Sequence, residues 1–317
     1  MTLRNEKNRN SARISQDGRQ RMHRAVGIMP SLFCLAVLAG SLAMAPARAW
    51  SNGGFSSDSS NPDYGTHDWL AHHALDWLPD DLDFWIRNNL AVYLYGTELP
   101  DNANAPLGDG IGDTHLHHVY YRSNEHLQDD SAARRARDAC DQALAYLISG
   151  DHGNASKWIG VMTHYMSDLA VFGHVMGKPT DWGEEKHHQD YEQWVNEKTN
   201  RYDAPFTTLL EFDGKLEQSS AYDGALKLAH DTTFDGAGRG RTAKWMDDNY
   251  DPADQIFQER VGESLSLTVN LLADVIYSMS VAAGIPEFRA PTLALSLALL
   301  VLIIVVRSGS PKRRMTE

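Results

Sequence analysis

Two pairs of potential metal ligands are each spaced four residues apart in this chain. His164 is followed by Asp168, and His188 is followed by Glu192, with His174 between the pairs. Residues four apart share one face of a helix, so the two side chains of each pair can bind the same ion. Nitrogen and oxygen ligands without cysteine favour zinc in a catalytic role, because catalytic sites keep a position open for water. Taken alone, the second pair is equally compatible with a solvated helix face.

Histidine is concentrated in one part of the chain. Most of the fourteen histidines fall between His67 and His188, although the chain continues well beyond. An isolated histidine is usually a surface or core residue. We therefore leave five histidines unassigned as metal ligands: His72, His73, His126, His152 and His230.

Helical spacing of apolar residues predicts the elements that must position these ligands. The pattern occurs over residues 66–78, 84–94, 131–147, 154–172 and 254–283. Gly96 and Gly150 are the predicted ends of the second and third helices, and Asn154 is the predicted cap of the fourth, which Gly173 is predicted to end. Because no comparable alternating strand pattern appears, the fold class predicted is all-α.

The N-terminal segment has the layout of a signal peptide. Residues 1–49 combine a basic leader with an apolar run, and they end in an Ala-x-Ala step before Trp50. Cleavage there would release a chain that starts at Trp50. An uncleaved N-terminal anchor is the alternative.

The C-terminal segment, residues 289–317, has the pattern of a membrane anchor. Residues 291–306 carry no charge and precede a basic tail, which is typical of a span whose tail lies in the cytoplasm. A buried core helix is the alternative. Pro286-Glu287-Phe288 with the apolar run resembles archaeal PEF-type sorting signals, which implies an archaeal surface protein. The domain that must fold then covers residues 50–288 and is large enough for its own core.

The charge of this domain bears on its partners. Residues 50–290 carry 39 acidic and 17 basic side chains. Such an excess repels polyanions, so nucleic acid is an unlikely substrate. Proteins adapted to high salt or binding several divalent cations show the same excess. Cys140 is the lone cysteine after the leader, which excludes an internal disulfide and a thiolate metal cluster.

Several motifs between Trp50 and Glu192 occur in a fixed order. Trp50 is followed by the His-x-Trp helix start at residues 67–69, then by a Gly-x4-Asp segment ending at Asp101 and by His118-Val119-Tyr120. The chain then carries the ungapped series His-x3-Asp-x5-His-x13-His-x3-Glu from residue 164 to 192. In this order the motifs resemble the zinc-dependent phospholipases C of bacteria, whose mature chains begin with tryptophan.

The resemblance implies a compact helical domain with three zinc ions. The first ion would be held by His118, His164 and Asp168 with help from Asp101. The second would be held by His174, His188 and Glu192. The third would be held by the α-amino and carbonyl groups of Trp50, by His67 and by the shared Asp168. The implied reaction is hydrolysis of a phosphodiester, such as a phospholipid head group, by metal-activated water, with Asp101 as general base or water-orienting carboxylate.

Departures from the family pattern leave alternatives open. His115 and His117 stand beside His118 and could replace it as a ligand. The segment around Gly173 departs from the family pattern near the place where substrate is expected, so the head group is not predicted. Taken alone, Asp101 is also compatible with a plain turn residue. A nuclease of the S1/P1 type has a similar tryptophan and three zinc ions, but those nucleases use aspartate where this chain has Glu192. A surface zinc-binding protein without catalysis is the other alternative, which the retained Asp101 disfavours.

Overall fold

A computed structural model describes residues 64–285. The predicted leader, Trp50, the sorting motif and the predicted C-terminal span all lie outside these residues. Within the described range, ten α-helices follow one another: α1 (Thr66–Leu75), α2 (Asp80–Arg87), α3 (Leu90–Glu98), α4 (Ser131–Ser149), α5 (His152–Ser167), α6 (Phe172–Val175), α7 (His188–Thr199), α8 (Ala221–Phe234), α9 (Ala243–Asp248) and α10 (Gln255–Ala282).

Short elements fill the gaps between these helices. Three 3₁₀ turns cover Thr114–Leu116, Asp168–Ala170 and Pro205–Leu209. A small antiparallel hairpin, which was not predicted, pairs β1 (Tyr120–Tyr121) with β2 (Leu127–Asp129). Two strands this short add little to a helical core, and the all-α prediction is confirmed.

Helix α5 lies at the centre of the domain. It is buried on every face from Ile159 to Ser167, and it packs along α3 and α4. Fully buried aromatic side chains such as Trp69, Trp85 and Tyr165 fill the space around it. Each of these large side chains contributes about 1.5–3 kcal/mol by leaving water. The helix that carries His164 is therefore held firmly on all sides.

Two glycines let α3 and α5 touch through their backbones. A Cβ on Gly96 would lie 2.1 Å from the carbonyl oxygen of Lys157, and a Cβ on Gly160 would lie 2.1 Å from that of Tyr93. Gly96 was predicted to end its helix, but α3 continues to Glu98. The prediction was wrong because this glycine serves the close helix crossing rather than a helix stop.

The boundaries of α5 also differ from the prediction. Asp151 rather than Asn154 is the cap, since its carboxylate accepts a hydrogen bond from the Asn154 backbone N–H. The α-helix ends at Ser167, and the chain tightens into the 3₁₀ turn that begins at Asp168. Asp168 therefore lies at a change of helix type, directly beneath His164.

Helix α10 is long and apolar enough to cross a membrane by length and composition. Its most apolar window has a mean hydropathy of 1.5, but 67% of that window is buried inside the domain. Asp254 caps its start by accepting hydrogen bonds from the backbone N–H groups of Ile256 and Phe257. This helix belongs to the core and is distinct from the predicted span at residues 291–306.

Candidate metal centre

Histidine and carboxylate side chains form three groups of potential ligands inside the domain. In each group the ligand atoms lie within 4.8 Å of one another. The first group is Asp101, His117 and His164; the second group is His174, His188 and Glu192; the third group is His67, His164 and Asp168. Ligands far apart in the sequence thus converge, and His164 belongs to two groups.

Asp168 lies between all three groups. Its side chain is fully buried, with Oδ1 3.3 Å from His67 Nε2 and 3.8 Å from His174 Nε2. Its other oxygen, Oδ2, lies 2.9 Å from His117 Nδ1 and 3.3 Å from His164 Nε2. Burial alone would raise the pKa of Asp168, but the facing imidazoles hold it well below the usual range. One ionised carboxylate therefore faces four histidines.

The orientation of His164 is set by the end of α3. His164 Nδ1 donates a hydrogen bond of 2.6 Å to the carbonyl oxygen of Thr97, which leaves Nε2 facing Asp101 and Asp168. Its ring stacks on that of His67 at 3.9 Å between centroids. Burial would lower the pKa of His164, but the two carboxylates raise it well above the usual value.

Asp101 is held by a loop that folds back on itself after α3. The backbone N–H of Ile111 donates to the Leu99 carbonyl at 2.9 Å, and that of Asp113 donates to the Pro100 carbonyl at 3.0 Å. Gly112 adopts a positive φ of 64°, and a Cβ there would meet Ala103 at 2.3 Å. Asp101 consequently stands at the rim of the first group, with its side chain 11% exposed.

The second group is built on α6 and the first turn of α7, as the i, i+4 spacing predicts. His188 Nε2 lies 2.9 Å from Glu192 Oε1, and His174 Nε2 lies 3.4 Å from the same oxygen. His188 Nδ1 faces Glu185 Oε1 at 3.4 Å. Burial would lower the pKa of His188, but these two carboxylates raise it to about 10. This position strongly favours a bound positive charge.

Gly173 lies inside α6 rather than ending the preceding helix as predicted. A Cβ at Gly173 would lie 2.4 Å from Cγ of the His188 ring. Only a residue without a side chain leaves room for His188 beside His174.

We therefore expect Gly173→Ala to weaken the second group selectively. The new methyl group must displace the His188 ring, and a displaced ligand should lower the affinity of one zinc ion by about 10–100-fold. Titration with Zn²⁺ against a competing chelator measures this affinity. Gly153→Ala is the matched control, because a Cβ at Gly153 would lie 3.8 and 3.9 Å from its nearest heavy atoms. Unchanged affinity in Gly173→Ala would contradict the assignment of His188.

The structure places one predicted site residue outside the three groups. His118 does not join the first group; its Nε2 lies 3.4 Å from Asp129 and its ring stacks on Tyr120. His117 takes the expected place, with a side chain 1% exposed. His117 directly follows the 3₁₀ turn at Thr114–Leu116, and the neighbouring His118 side chain is 22% exposed. His115, the third neighbour, is exposed.

The third group is described only through its side chains, since Trp50 lies outside residues 64–285. His67 lies in the first turn of α1, whose start is fixed from two directions. Thr66 shares a hydrogen bond of 2.9 Å with Thr199 at the end of α7, and Asp68 accepts one of 2.7 Å from Thr97. These contacts tie α1 to the helices that carry the second group and orient His164.

The ligand atoms have the spacing that zinc requires. His164 Nε2 and His117 Nδ1 face each other at 3.3 Å. Two Zn–N bonds of 2.0–2.1 Å at a tetrahedral angle place their nitrogens about 3.3 Å apart. Asp168 Oδ1, His174 Nε2 and Glu192 Oε2 are also buried without a hydrogen-bond partner among the described residues. Such buried polar atoms call for a cation, and the nitrogen and oxygen donors fit Zn²⁺.

Two carboxylates next to the proposed ligands were not predicted from the sequence. Asp113 lies beside His117, and Glu185 lies beside His188. Each carboxylate precedes its histidine by three or four residues, and this spacing could have indicated both pairs.

An all-α domain with buried histidine and carboxylate groups at its centre defines a helical metalloprotein. Residues 66–237, more than half of the chain, match the family model described as zinc dependent phospholipase C. The chain therefore belongs to the zinc-dependent phospholipase C family. No curated protein matches it.

Two solved structures are similar to this chain, each at 14% sequence identity. The alpha toxin from Clostridium absonum has a TM-score of 0.46, and the match covers 69% of this chain and 64% of that one. The Clostridium perfringens alpha-toxin isolated from avian strain SWCP has a TM-score of 0.43 with the same coverage. This chain thus spans less than two-thirds of either toxin.

Proposed function

We propose that this protein is a zinc-dependent phospholipase C that hydrolyses the phosphodiester bond of phospholipid head groups. The observation that carries the proposal is the position of Asp168, whose two buried oxygens lie 2.9–3.8 Å from four histidines of the ligand groups. A structural zinc site needs only one closed set of four ligands. Several groups around one shared carboxylate suit a clustered catalytic centre, and membership of the family supports this reaction class.

The proposed ligands follow from the three groups. The first ion would be held by Asp101, His117, His164 and Asp168, with His117 in place of His118. The second would be held by His174, His188 and Glu192. The third would be held by His67 and Asp168 together with the α-amino and carbonyl groups of Trp50.

Asp101 and Asp168 have different roles in the proposed mechanism. Zinc ions held by these residues would offset the charge of the phosphate and would lower the pKa of a bound water toward ~7. Burial would raise the pKa of Asp101, but the neighbouring His164 keeps it below the usual range, so the carboxylate is ionised at neutral pH. Asp101 stands at the rim and can accept the proton of the attacking water. Asp168 is fully buried and acts only by holding the histidines and ions in place.

The experiment that tests the function measures zinc content and substrate choice together. We expect the chain released at Trp50 to bind three Zn²⁺ and to hydrolyse phospholipid vesicles and a chromogenic phosphodiester. Single-stranded DNA should be a poor substrate, because 39 acidic side chains against 17 basic ones repel a polyanion. Hydrolysis of DNA alone would indicate an S1/P1-type nuclease. Three bound ions without any hydrolysis would indicate a surface zinc-binding protein.

The free α-amino group of Trp50 should be needed to complete the third group. While Trp50 is joined to Ala49 its nitrogen belongs to an amide and has no available lone pair. A chain with one extra residue before Trp50 is therefore expected to bind two zinc ions and to hydrolyse poorly. Metal analysis of both chains checks this, with the chain released at Trp50 as control. Equal zinc content would reduce Trp50 to a packing residue.

The same proposal places the enzyme outside the cell. The leader at residues 1–49 would direct export, and residues 291–306 would tether the domain to the membrane. The basic tail and the Pro286-Glu287-Phe288 motif support a sorted surface protein. Recovery of the mature protein from the soluble cytoplasmic fraction with an intact leader would contradict this localisation.

A further inference from the structure

Asp113 lies outside the three ligand groups but contacts one of their members. Its Oδ1 lies 3.4 Å from Nε2 of His117. The other ring nitrogen, His117 Nδ1, faces the cluster, 2.9 Å from Asp168 Oδ2 and 3.4 Å from Asp101 Oδ1. The imidazole of His117 therefore bridges Asp113 on one side and the proposed zinc site on the other.

Asp113 is itself held by two side chains from the neighbouring helices. The hydroxyl of Tyr165 on α5 donates to Asp113 Oδ1 at 2.7 Å, and Arg135 Nε on α4 lies 2.7 Å from Oδ2. Arg135 also donates to the Tyr165 hydroxyl at 3.0 Å and lies over its ring. These contacts fix the carboxylate in one orientation, because both of its oxygens are engaged.

The contact suits the tautomer of His117 that a zinc ligand needs. Nδ1 also faces a carboxylate, Asp168, at 2.9 Å, so the neutral imidazole keeps its single N–H on Nε2 when zinc occupies Nδ1, and the ionised Asp113 can then accept that hydrogen bond. The lone pair of the imidazole is then on Nδ1, on the side of Asp101, His164 and Asp168. A zinc ligand needs that lone pair, and a carboxylate behind a histidine is a known way to provide it.

We propose that Asp113 is a positioning residue that holds His117 with its proton on Nε2 and so presents Nδ1 to the first zinc ion. The inference rests on the proposed function only in that the first group binds zinc. Two other histidines are oriented in the same way: His164 donates from Nδ1 to the Thr97 carbonyl, and His188 Nδ1 faces Glu185. Asp113 differs because Arg135, 29% exposed, connects it to the surface.

The test compares Asp113→Ala with a variant of a second aspartate in the same loop, Asp109. Asp109 accepts a hydrogen bond from the Tyr95 hydroxyl at 2.5 Å and pairs with Lys157 at 3.0 Å, as Asp113 does with Tyr165 and Arg135. Neither of these contacts involves a ligand histidine. Asp113→Ala should lower the affinity of one zinc ion by about 10–100-fold and leave the other two in place. Asp109→Asn should keep all three at full affinity.

A second readout follows the His117 ring directly. Long-range ¹H–¹⁵N spectra of the zinc-loaded protein should show His117 with its proton on Nε2, and in Asp113→Ala this signal should change or disappear. Where Asp113→Ala folds poorly, Tyr165→Phe removes one of the two anchors and should weaken the same ion to a smaller extent. Both readouts are independent of hydrolysis, so they hold even where no phospholipid is cleaved.

Three results would overturn the inference. One is a proton on Nδ1 of His117 in the unaltered, zinc-loaded protein. Another is full affinity for three Zn²⁺ in Asp113→Ala. The third is an equal loss in Asp109→Asn, which would show that Asp113 only ties down its loop.

Discussion

Asp168→Asn should lose two zinc ions and nearly all hydrolysis while keeping its helices. The substitution preserves the size of the side chain but removes its charge and replaces one acceptor oxygen by an N–H₂ donor. That donor would point at histidine nitrogens within 3.8 Å in a fully buried position. Loss of an orienting partner alone weakens a metal by 10–100-fold, and loss of a shared ligand should weaken both affected ions by about 100-fold or more.

Two further variants make this result specific. Glu192→Gln should release only the ion of the second group, because Glu192 contacts His174 and His188 alone among the ligand histidines. Asp83→Asn is the control for a buried carboxylate: Asp83 pairs with Arg87 on α2, and burial raises its pKa to about 6. Metal analysis after dialysis against a weak chelator compares the three. Equal zinc losses in Asp168→Asn and Glu192→Gln would remove the shared-ligand assignment.

Asp101→Asn should lower the turnover number by about 10²–10⁴-fold, the usual effect of removing a general base. The amide can still coordinate weakly through its oxygen, but it cannot take a proton from water. Helical content should be unchanged, because Asp101 lies in a loop and its side chain is partly exposed. Kinetics on vesicles at saturating lipid, with zinc content measured on the same sample, separate loss of the base from loss of an ion.

The control for this experiment is again Asp109→Asn, which removes a carboxylate from the same loop. Nearly full activity in Asp101→Asn with three ions bound would show that another group takes the proton. Loss of zinc in parallel with activity would instead show that Asp101 acts only as a ligand of the first group.

The sequence predicted the parts of this molecule that depend on local spacing. The apolar repeats located α1, α4, α5 and α10 but not the 14-residue α8, and Gly150 ends α4 as predicted because it adopts the left-handed conformation at φ 82°. The spacing of His188 and Glu192 placed both on the first turns of α7. A helical period is a property of a short segment, so it can be read without knowing what packs against that segment.

Features that depend on tertiary contacts could not be predicted in this way. Gly96 and Gly173 were predicted to end helices. In the structure, the missing side chain at each glycine instead leaves space for a residue that is distant in the sequence. The choice between His117 and His118 depended on which of the two side chains lies against Asp101 and Asp168. Asp113 and Glu185 went unnoticed because a carboxylate that orients a histidine does not itself belong to a ligand motif.

The glycine crossing of α3 and α5 also limits the size of the ion that the site can hold. Thr97 and Asp101 follow Gly96 on one side, and His164 follows Gly160 on the other, so the distance between them depends on a contact between two backbones. Such a contact has no rotatable side chain that can adjust. Zn²⁺ bonds of about 2.0–2.2 Å suit the closely spaced ligands, whereas Ca²⁺ needs 2.3–2.6 Å and more oxygen atoms. A larger cation would have to push the two helices apart, and the packed core around α5 resists that movement.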